Sequence, residues 1–285
     1  MLAEQPDTPA HDGGWSWDPS LYSGSAAFYV TGRVAYPPEV AAALVRELGL
    51  NGSGTLLDVG CGPGSLTLLI APYFAEAIGI DADQQMLEAA AVQANARSLG
   101  NVSWRHMRAE DLPADLAPVN LITFAQSFHW MDRPRVAAAA RILLAPDGAL
   151  VHVHATTHQG VESNDPLPYP QPPRQAINKL VEKYLGPVRR AGQGILPAGT
   201  PGNEDDIYRA AGFDGPHSIE LAGWVMNRSL DEIAASVYSL SNSAPHLFGN
   251  HLRQFDEDLR ALLHRSNSSG HFSEQMRPVA LHIWR

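Results

Sequence analysis

The stretch Thr55-Leu-Leu-Asp-Val-Gly-Cys-Gly-Pro-Gly-Ser-Leu-Thr-Leu-Leu-Ile-Ala71 decides the fold of this chain. It begins with a short apolar run that ends in an acid, continues with three glycines at alternate positions, and ends in a leucine-rich segment of helical spacing. This order predicts a buried parallel strand, a tight turn and a helix that packs back on the sheet. Because glycine lacks a Cβ, a ligand can approach bare backbone amides at the start of that helix. The turn is therefore a candidate binding site.

The spacing of the glycines separates several classes of nucleotide-binding turn. The dinucleotide pattern G-x-G-x-x-G needs a glycine where Ser65 stands, and the P-loop pattern needs a Gly-Lys-Ser/Thr that does not follow. Residues 57–64 instead match motif I of the class I S-adenosylmethionine-dependent methyltransferases, which this stretch resembles residue for residue. The resemblance implies that Asp58, Gly60 and Gly62 contact the cofactor.

Composition limits the classes of protein to which the chain can belong. Its 285 residues allow one large domain, with or without an insertion, and 45% hydrophobic residues predict a substantial core. The formal net charge of −10 argues against a dedicated nucleic-acid binder and suits a cationic cofactor. Cys61 is the only cysteine, so no intramolecular disulfide forms and a cytoplasmic location is expected. Residues 1–14 are acidic and polar, so we do not expect them to act as a signal peptide, and the sequence contains no apolar run of the length that spans a membrane.

Alternating strand and helix patterns predict a Rossmann-like α/β fold, with a seven-stranded, mostly parallel sheet and helices on both faces. The predicted strands are 56–59, 77–80, 102–106, 119–125, 149–155, 217–221 and 279–284, and the predicted helices are 38–50, 84–99, 133–144, 175–185, 203–211, 230–238 and 252–264. We expect a disordered tail at 1–14, an aromatic lid at 15–36 and a methyltransferase domain at 37–285. Substrate-side insertions of helices and loops are expected at about 156–202 and 223–272.

Acidic residues follow two of the predicted strands. Asp81 ends the second strand, 21 residues after Gly60, where an acid suits a ribose diol. Asp81 or Asp83 could instead cap the next helix. The string Ala109-Glu110-Asp111-Leu112-Pro113 resembles the family segment that reads the adenine edge, although Arg108 stands where an aspartate is common. The acid that reads adenine therefore stays open between Glu110 and Asp111.

The resemblance adds further cofactor contacts. Residues 28–37 are similar to the segment before motif I, in which an aromatic residue and an arginine lie near the methionine end of the cofactor. Tyr29 and Arg33 match these two positions. The remaining contacts that the resemblance implies are Ala82, Met86 and Gln126.

The turn after the fourth strand, residues 126–132, resembles a His-Trp variant of the subgroup that includes trans-aconitate-type enzymes. It predicts His129 as a catalytic candidate and Trp130 as a packing residue. His154 is a second candidate because it lies near the end of the fifth strand. His152, His154 and His158 suggest a metal site, but neither a cysteine nor an H-x-x-x-H pattern accompanies them. No metal site is predicted.

The resemblance implies methyl transfer from S-adenosylmethionine to an O, N or C atom of a small molecule, such as a secondary metabolite or small acid. We expect a monomer or homodimer with no nucleic-acid or membrane partner. Two alternatives stay open. The first is a nicotinamide-dependent oxidoreductase, which Ser65 disfavours. The second is a non-catalytic protein that uses the fold to bind a cofactor.

Overall fold

The computed structural model describes residues 18, 20–187, 190–191, 194–195 and 202–285. The predicted tail at 1–14 and the first residues of the predicted lid lie outside them. The described strands are β1 Thr55–Val59, β2 Glu76–Asp81, β3 Val102–His106, β4 Val119–Ala125, β5 Leu144–His154, β6 Arg190–Ala191, β7 Gly194–Ile195, β8 His217–Leu221, β9 Val225–Ser229, β10 His271–Gln275 and β11 Val279–Trp284. The helices are α1 Ala26–Gly32, α2 Pro38–Leu48, α3 Thr67–Ile70, α4 Gln84–Ala96, α5 Arg133–Leu143, α6 Arg174–Leu185, α7 Glu204–Ala210, α8 Leu230–Tyr238 and α9 Leu252–Ser266.

Seven strands form the main sheet in the order β3-β2-β1-β4-β5-β11-β8. The first five run parallel, and β11 pairs antiparallel with both β5 and β8. This confirms the predicted Rossmann-like, mostly parallel sheet. Two short antiparallel pairs, β9–β10 and β6–β7, lie outside it.

Helix ends follow their capping residues. Pro38 opens α2, and Gly49 ends it at φ +64°, a left-handed conformation that glycine adopts without strain. The Asp83 carboxylate accepts hydrogen bonds from the amides of Gln85 and Met86, so Asp83 rather than Asp81 caps α4. The helix after the glycine turn is short, because a 3-10 turn containing Pro72 follows it.

Apolar side chains cover both faces of the sheet. Leu57 belongs to the core on the side of α5 and α7, whereas its neighbour Leu56 belongs to the core on the side of α2. Both side chains are fully buried, which is the pattern expected of a central parallel strand. Since apolar side chains and helices cover both faces of the sheet, a ligand can bind only at the strand ends.

The C-terminal insertion has its own core. Helices α6, α8 and α9 pack around Phe255 and Leu259, and the β9–β10 pair adds Phe272. Helix α1 lies against α8 at such short range that a Cβ on Gly32 would overlap the Ala235 carbonyl. We call α6, α8, α9, β9 and β10 the C-terminal unit.

Several features differ from the sequence expectations. Strand β5 begins at Leu144 rather than at residue 149, and its register with β4 shifts between Val119 and Leu121. The β9–β10 pair and α1 were not predicted as elements. Within the described residues, no helix has the length and apolarity that crossing a membrane requires.

Candidate active site

A cavity lies at the carboxyl ends of the parallel strands, next to α1. Ligands bind at this edge in open α/β sheets because the strand ends and the helix N-termini converge there. The cavity lining includes every residue predicted above to contact the cofactor: Tyr29, Arg33, Asp58, Gly60, Gly62, Asp81, Ala82, Met86, Ala109, Glu110 and Gln126.

The glycine turn after β1 forms one wall of the cavity. Gly60 and Gly62 have φ of +68° and +55°, in the left-handed region that favours glycine. A Cβ on Gly60 would lie 2.5 Å from the Cβ of Ser127, so that glycine lets the turn pack against the end of β4. A Cβ on Gly62 would meet no atom within 4 Å, so its absence keeps part of the cavity open.

Asp58 holds the turn in place. Its carboxylate is buried and accepts hydrogen bonds from the hydroxyls of Thr67 at 2.6 Å and Thr123 at 2.7 Å. Burial raises the pKa of Asp58 in spite of these bonds. The side chain thereby connects β1 to α3 and to β4, and it fixes the point at which the glycine turn begins.

Asp81 faces the same turn from the end of β2. One carboxylate oxygen accepts from the Gly62 amide at 2.8 Å and the other from the Asp83 amide at 2.9 Å. Desolvation raises the pKa of Asp81 to about 6, although both amides favour the charged form. The carboxylate is therefore ionised at neutral pH and close to titrating below it, and each of its oxygens keeps capacity for another donor.

Of the two acids after β3 that the sequence left open, only Glu110 lines the cavity. Glu110 is buried in the cavity lining, whereas Asp111 is exposed and lies outside it. One oxygen of Glu110 accepts from the Asp132 amide at 2.9 Å, and the other lies 3.5 Å from Arg108 Nε. Glu110 thus joins the β3 end to the start of α5.

Arg33 is oriented by Ser239, the residue that follows α8. Its Nε donates to the Ser239 hydroxyl at 2.8 Å, and Nη2 donates to the Ser239 carbonyl at 2.8 Å. Nη1 lies 3.4 Å from the Thr157 hydroxyl, and the guanidinium lies 4.6 Å from the Tyr29 ring centroid. These contacts fix the guanidinium at the cavity wall.

Gln126 has a strained backbone at the end of β4. Its φ of +58° is unusual for a residue with a Cβ, and such strain concentrates at functional sites. The side-chain amide donates to the Tyr36 hydroxyl at 3.2 Å and lies 3.4 Å from the Thr157 hydroxyl. The strained turn thereby directs Gln126 into the cavity lining.

Trp130 has a different position from the predicted one. It lines the cavity rather than packing beneath the turn, and its ring meets the Tyr22 ring edge to face at 5.4 Å. Sequence reasoning missed Tyr22 and Thr157 as lining residues. The aromatic content of residues 15–36 indicated a lid, but nothing in it distinguished Tyr22 from the other rings.

The two catalytic candidates do not line the cavity. The His129 ring lies against Trp130, with centroids 4.8 Å apart. Desolvation, together with Arg133 and Arg33, lowers the pKa of His129 to about 4. His154 stacks on His152 at 4.3 Å and contacts His282 at 4.4 Å.

His154 is the last residue of β5, but its ring packs in a histidine cluster on one face of the sheet and does not line the cavity. His152, its neighbour on the same face of β5, hydrogen-bonds to Tyr208 of α7, which places the histidine cluster on the α7 side. The expectation that His154 faces a substrate is not supported. Among the described residues, no group of three or more His, Cys, Asp or Glu is arranged to hold a metal ion.

The charge of the lining is negative. It contains four carboxyl side chains and two guanidinium groups, and burial raises the pKa of the Cys61 thiol so that it stays neutral. A cationic ligand would be favoured in such a cavity. The carboxyl groups belong to Asp58, Asp81, Asp83 and Glu110, and the guanidinium groups to Arg33 and Arg108.

Comparison with known proteins identifies the domain. Residues 56–148 match the methyltransferase domain family. The chain is 33% identical over 129 residues to the probable S-adenosylmethionine-dependent methyltransferase CRG1 of Saccharomyces cerevisiae, and the match covers 43% of either chain. The chain spans about half or less of the length of the curated relatives it matches.

Solved structures share the fold. The YcgJ protein of Bacillus subtilis matches with a TM-score of 0.50 at 16% identity, over 86% of this chain and 97% of that one. The [4+2]-cyclase SpnF matches with a TM-score of 0.51 at 17% identity, over 96% and 98%. At such identities the likeness concerns the fold alone, and the trans-aconitate-type subgroup stays a prediction. The family match and the fold together make residues 56–148 a class I methyltransferase domain, whose cofactor is S-adenosylmethionine.

Proposed function

We propose that the protein transfers a methyl group from S-adenosylmethionine to an O, N or C atom of a small molecule. The observation that carries this proposal is the cavity at the strand ends, whose lining contains all eleven residues at which the motifs predict cofactor contacts. These residues come from α1 and the residue after it, from β1 and its glycine turn, from the ends of β2, β3 and β4, and from the start of α4. Their convergence on one cavity supports a shared ligand.

The order of the strands gives the ligand a direction. With the ribose at Asp81 on β2, the adenine lies toward the neighbouring β3, where Ala109 and Glu110 line the cavity. The methionine end would then face the glycine turn and β4. In this orientation Tyr29 and Arg33 would hold the methionine, and Gln126 would lie on the side of the transferable methyl.

The residues of the chain promote transfer mainly by positioning and by excluding water. When bound, the cofactor supplies an electrophilic methyl group on a positively charged sulfonium. The four lining carboxyl groups favour that charge, and the Tyr22–Trp130 contact shields the site from solvent. Holding donor and acceptor in line lowers the barrier by up to about 7–11 kcal/mol.

We propose that no histidine acts as general base. His129 and His154 lie outside the lining, so neither imidazole contacts this cavity. The Tyr22 and Tyr36 phenols line the cavity, but desolvation raises the pKa of both, and neither forms a phenolate at neutral pH. An acceptor proton is then lost to water.

Two measurements test the function. In calorimetry we expect S-adenosylhomocysteine and S-adenosylmethionine to bind and NAD to bind far more weakly. Tight binding of NAD alone would favour the oxidoreductase and refute the proposal. The second measurement is transfer of an isotope-labelled methyl group from S-adenosylmethionine to a panel of small molecules.

The transfer assay is needed because a fold does not decide a reaction. The [4+2]-cyclase SpnF has this fold, and a non-catalytic protein could bind the cofactor as well. Cofactor binding without label transfer to any acceptor would support that third interpretation. The cytoplasmic location and the monomeric or homodimeric state stay predictions.

A further inference from the structure

The chemistry of the acceptor can be inferred from the part of the cavity that lies toward β4 and β5. We call this part the methyl end and define it by Tyr22, Tyr29, Arg33, Tyr36, Gln126, Trp130 and Thr157, all of which line the cavity. It is the side opposite to the β3 residues in the strand order. An acceptor must reach the methyl group from here, so these side chains select it.

Aromatic rings dominate the methyl end. Tyr22 of the lid meets Trp130 of the β4 turn at 5.4 Å and Tyr29 of α1 at 6.4 Å, edge to face in both cases. Rings arranged in this way bind flat apolar groups and contribute little to the binding of small hydrated anions. The wall thus favours a flat, apolar molecular body.

The methyl end contains one cation, Arg33, and three of its five N–H donors are engaged. Nε and Nη2 donate to Ser239 and Nη1 to Thr157, while Tyr29 covers a face of the guanidinium. A carboxylate of an acceptor would have to displace these bonds or compete with the methionine of the cofactor for the donors that remain. The second lining cation, Arg108, lies 3.5 Å from Glu110 at the adenine side.

The surrounding charge disfavours a polyanion. The cavity contains four carboxyl groups against two guanidinium groups, in a chain with a formal net charge of −10. An acid with several carboxylates would be desolvated next to like charges, which is unfavourable. The methyl end itself contains no carboxyl group, so a cationic acceptor gains no ion pair there.

We infer that the acceptor is an uncharged molecule with a flat, apolar body, which packs against the surface that the rings of Tyr22, Tyr29 and Trp130 form together. Its reacting polar group lies beside Gln126 and Thr157, whose amide and hydroxyl can hydrogen-bond to it. This inference rests on the proposed function, and of the secondary metabolite or small acid expected from the sequence it favours an uncharged metabolite. In the transfer, the acceptor atom forms a bond to the methyl carbon, the carbon–sulfur bond breaks with its electron pair on sulfur, and a proton leaves to water.

The test compares matched probes on the full chain saturated with S-adenosylhomocysteine. The probes are 2-naphthol, its anionic counterpart 2-naphthoate, and citrate, with affinities measured by calorimetry or ligand-observed NMR. We expect 2-naphthol to bind at least about tenfold more tightly than 2-naphthoate, and citrate to bind more weakly still. Equal or tighter binding of either anion, or no binding of 2-naphthol, overturns the inference.

Substitutions test whether the probe binds at the methyl end. Trp130→Ala and Tyr22→Ala should each weaken 2-naphthol binding about fivefold or more, because each removes one ring of the pair. Tyr169→Ala, on a loop outside this cavity, is the matched control and should leave probe binding unchanged. Thermal unfolding with S-adenosylhomocysteine shows which variants are folded. Unchanged 2-naphthol binding in both folded variants contradicts the inference.

The same experiment separates the two proposals. If S-adenosylhomocysteine fails to bind the unmodified chain, the proposed function fails and the inference fails with it. If S-adenosylhomocysteine binds and citrate is preferred to 2-naphthol, the acceptor class alone is wrong and the proposed function stands.

Discussion

Asp81 connects cofactor binding to pH. Desolvation raises its pKa to about 6, so the carboxylate gains a proton between about pH 7 and pH 5. In the proposed site, ribose hydroxyls would donate to the ionised form, so protonation would compete with binding. We expect the affinity for S-adenosylhomocysteine, measured by calorimetry, to fall about tenfold from pH 7.5 to pH 5.

The Asp81→Asn variant is the control for this profile. An amide at this position does not titrate, so the variant should bind weakly with an affinity that is nearly independent of pH. A profile as steep as that of the unmodified protein would assign the pH dependence to another group. Wild-type affinity in the variant would remove Asp81 from the site.

Two glycines allow a matched test of the turn. Gly62 and Gly52 both have positive φ, +55° and +89°, and a Cβ on either would meet no atom within 4 Å. Alanine at each therefore costs backbone strain of about 1–2 kcal/mol and no overlap. Only Gly62 lines the cavity, where the added methyl occupies space that the ligand needs.

We expect Gly62→Ala to weaken S-adenosylhomocysteine binding by about tenfold or more, and Gly52→Ala to leave it within about twofold. Both should lower the melting temperature by similar amounts. Equal affinities in the two variants would mean that the cofactor does not approach the turn.

The histidines give a kinetic prediction. A general base typically contributes about 10²–10⁴-fold to the rate, so its removal is easily detected. Because His129 and His154 lie outside the lining, we expect His129→Ala and His154→Ala each to keep kcat within about tenfold. Methyl-transfer assays with any accepted substrate measure this. A loss of two or more orders of magnitude in His129→Ala alone would restore His129 as the base.

The sequence was informative about residues that belong to a motif. Gly60, Asp81 and Glu110 lie at or after strand ends. Parallel strands of one sheet end at the same edge, so the sequence alone predicts that these residues lie close together. Tyr22 and Trp130 were beyond reach because their positions depend on how the lid packs against the β4 turn. That packing is a tertiary contact and has no local pattern.

At the scale of elements, the strands of the sheet centre were predictable because buried parallel strands are continuous apolar runs. Strand β4, Val119–Ala125, has the predicted bounds. The start of β5 was missed because Pro146, Asp147 and Gly148 interrupt its apolar pattern. The β9–β10 pair joins segments 42 or more residues apart that are both rich in polar side chains, so neither one resembles a strand.

The contact between α1 and α8 depends on Gly32. A Cβ there would overlap the Ala235 backbone, so Gly32→Ala must push the two helices apart. Overpacking of this kind typically costs about 1–3 kcal/mol. The shift also moves Tyr29, which lies one turn before Gly32, and Arg33, which follows it. Both line the cavity. We therefore expect a lower free energy of unfolding and weaker S-adenosylhomocysteine binding.

Gly100→Ala is the matched control for this prediction. Gly100 has no positive φ, and a Cβ there would meet no atom within 4 Å. Its substitution should change the free energy of unfolding by less than about 0.5 kcal/mol. If urea unfolding shows the same small change for Gly32→Ala, α1 does not depend on close packing with α8.

At the scale of the whole molecule, a buried ionic network connects the C-terminal unit to α1. Arg228 is 2% exposed. Its Nη1 lies 3.1 Å from Glu274 Oε2, and its Nη2 donates to the Gly32 carbonyl at 2.7 Å. Arg174 of α6 donates to both oxygens of Glu274, at 2.9 and 2.8 Å. One carboxylate thus balances two guanidinium groups from different elements.

Removing that carboxylate should affect stability and cofactor binding together. Glu274→Gln leaves two cations without their counter-charge, and breaking a buried pair typically costs about 3–5 kcal/mol. Since Arg228 also anchors the end of α1, its rearrangement should displace Arg33 and weaken S-adenosylhomocysteine binding. Urea unfolding and calorimetry measure the two effects.

Asp231→Asn is the control, because Asp231 is 75% exposed and its pair with Arg260 should contribute less than about 1 kcal/mol. A Glu274→Gln protein as stable as this control would show that the network stabilises neither the C-terminal unit nor the lid. Unchanged cofactor affinity in a destabilised variant would show that the network does not position the cofactor site.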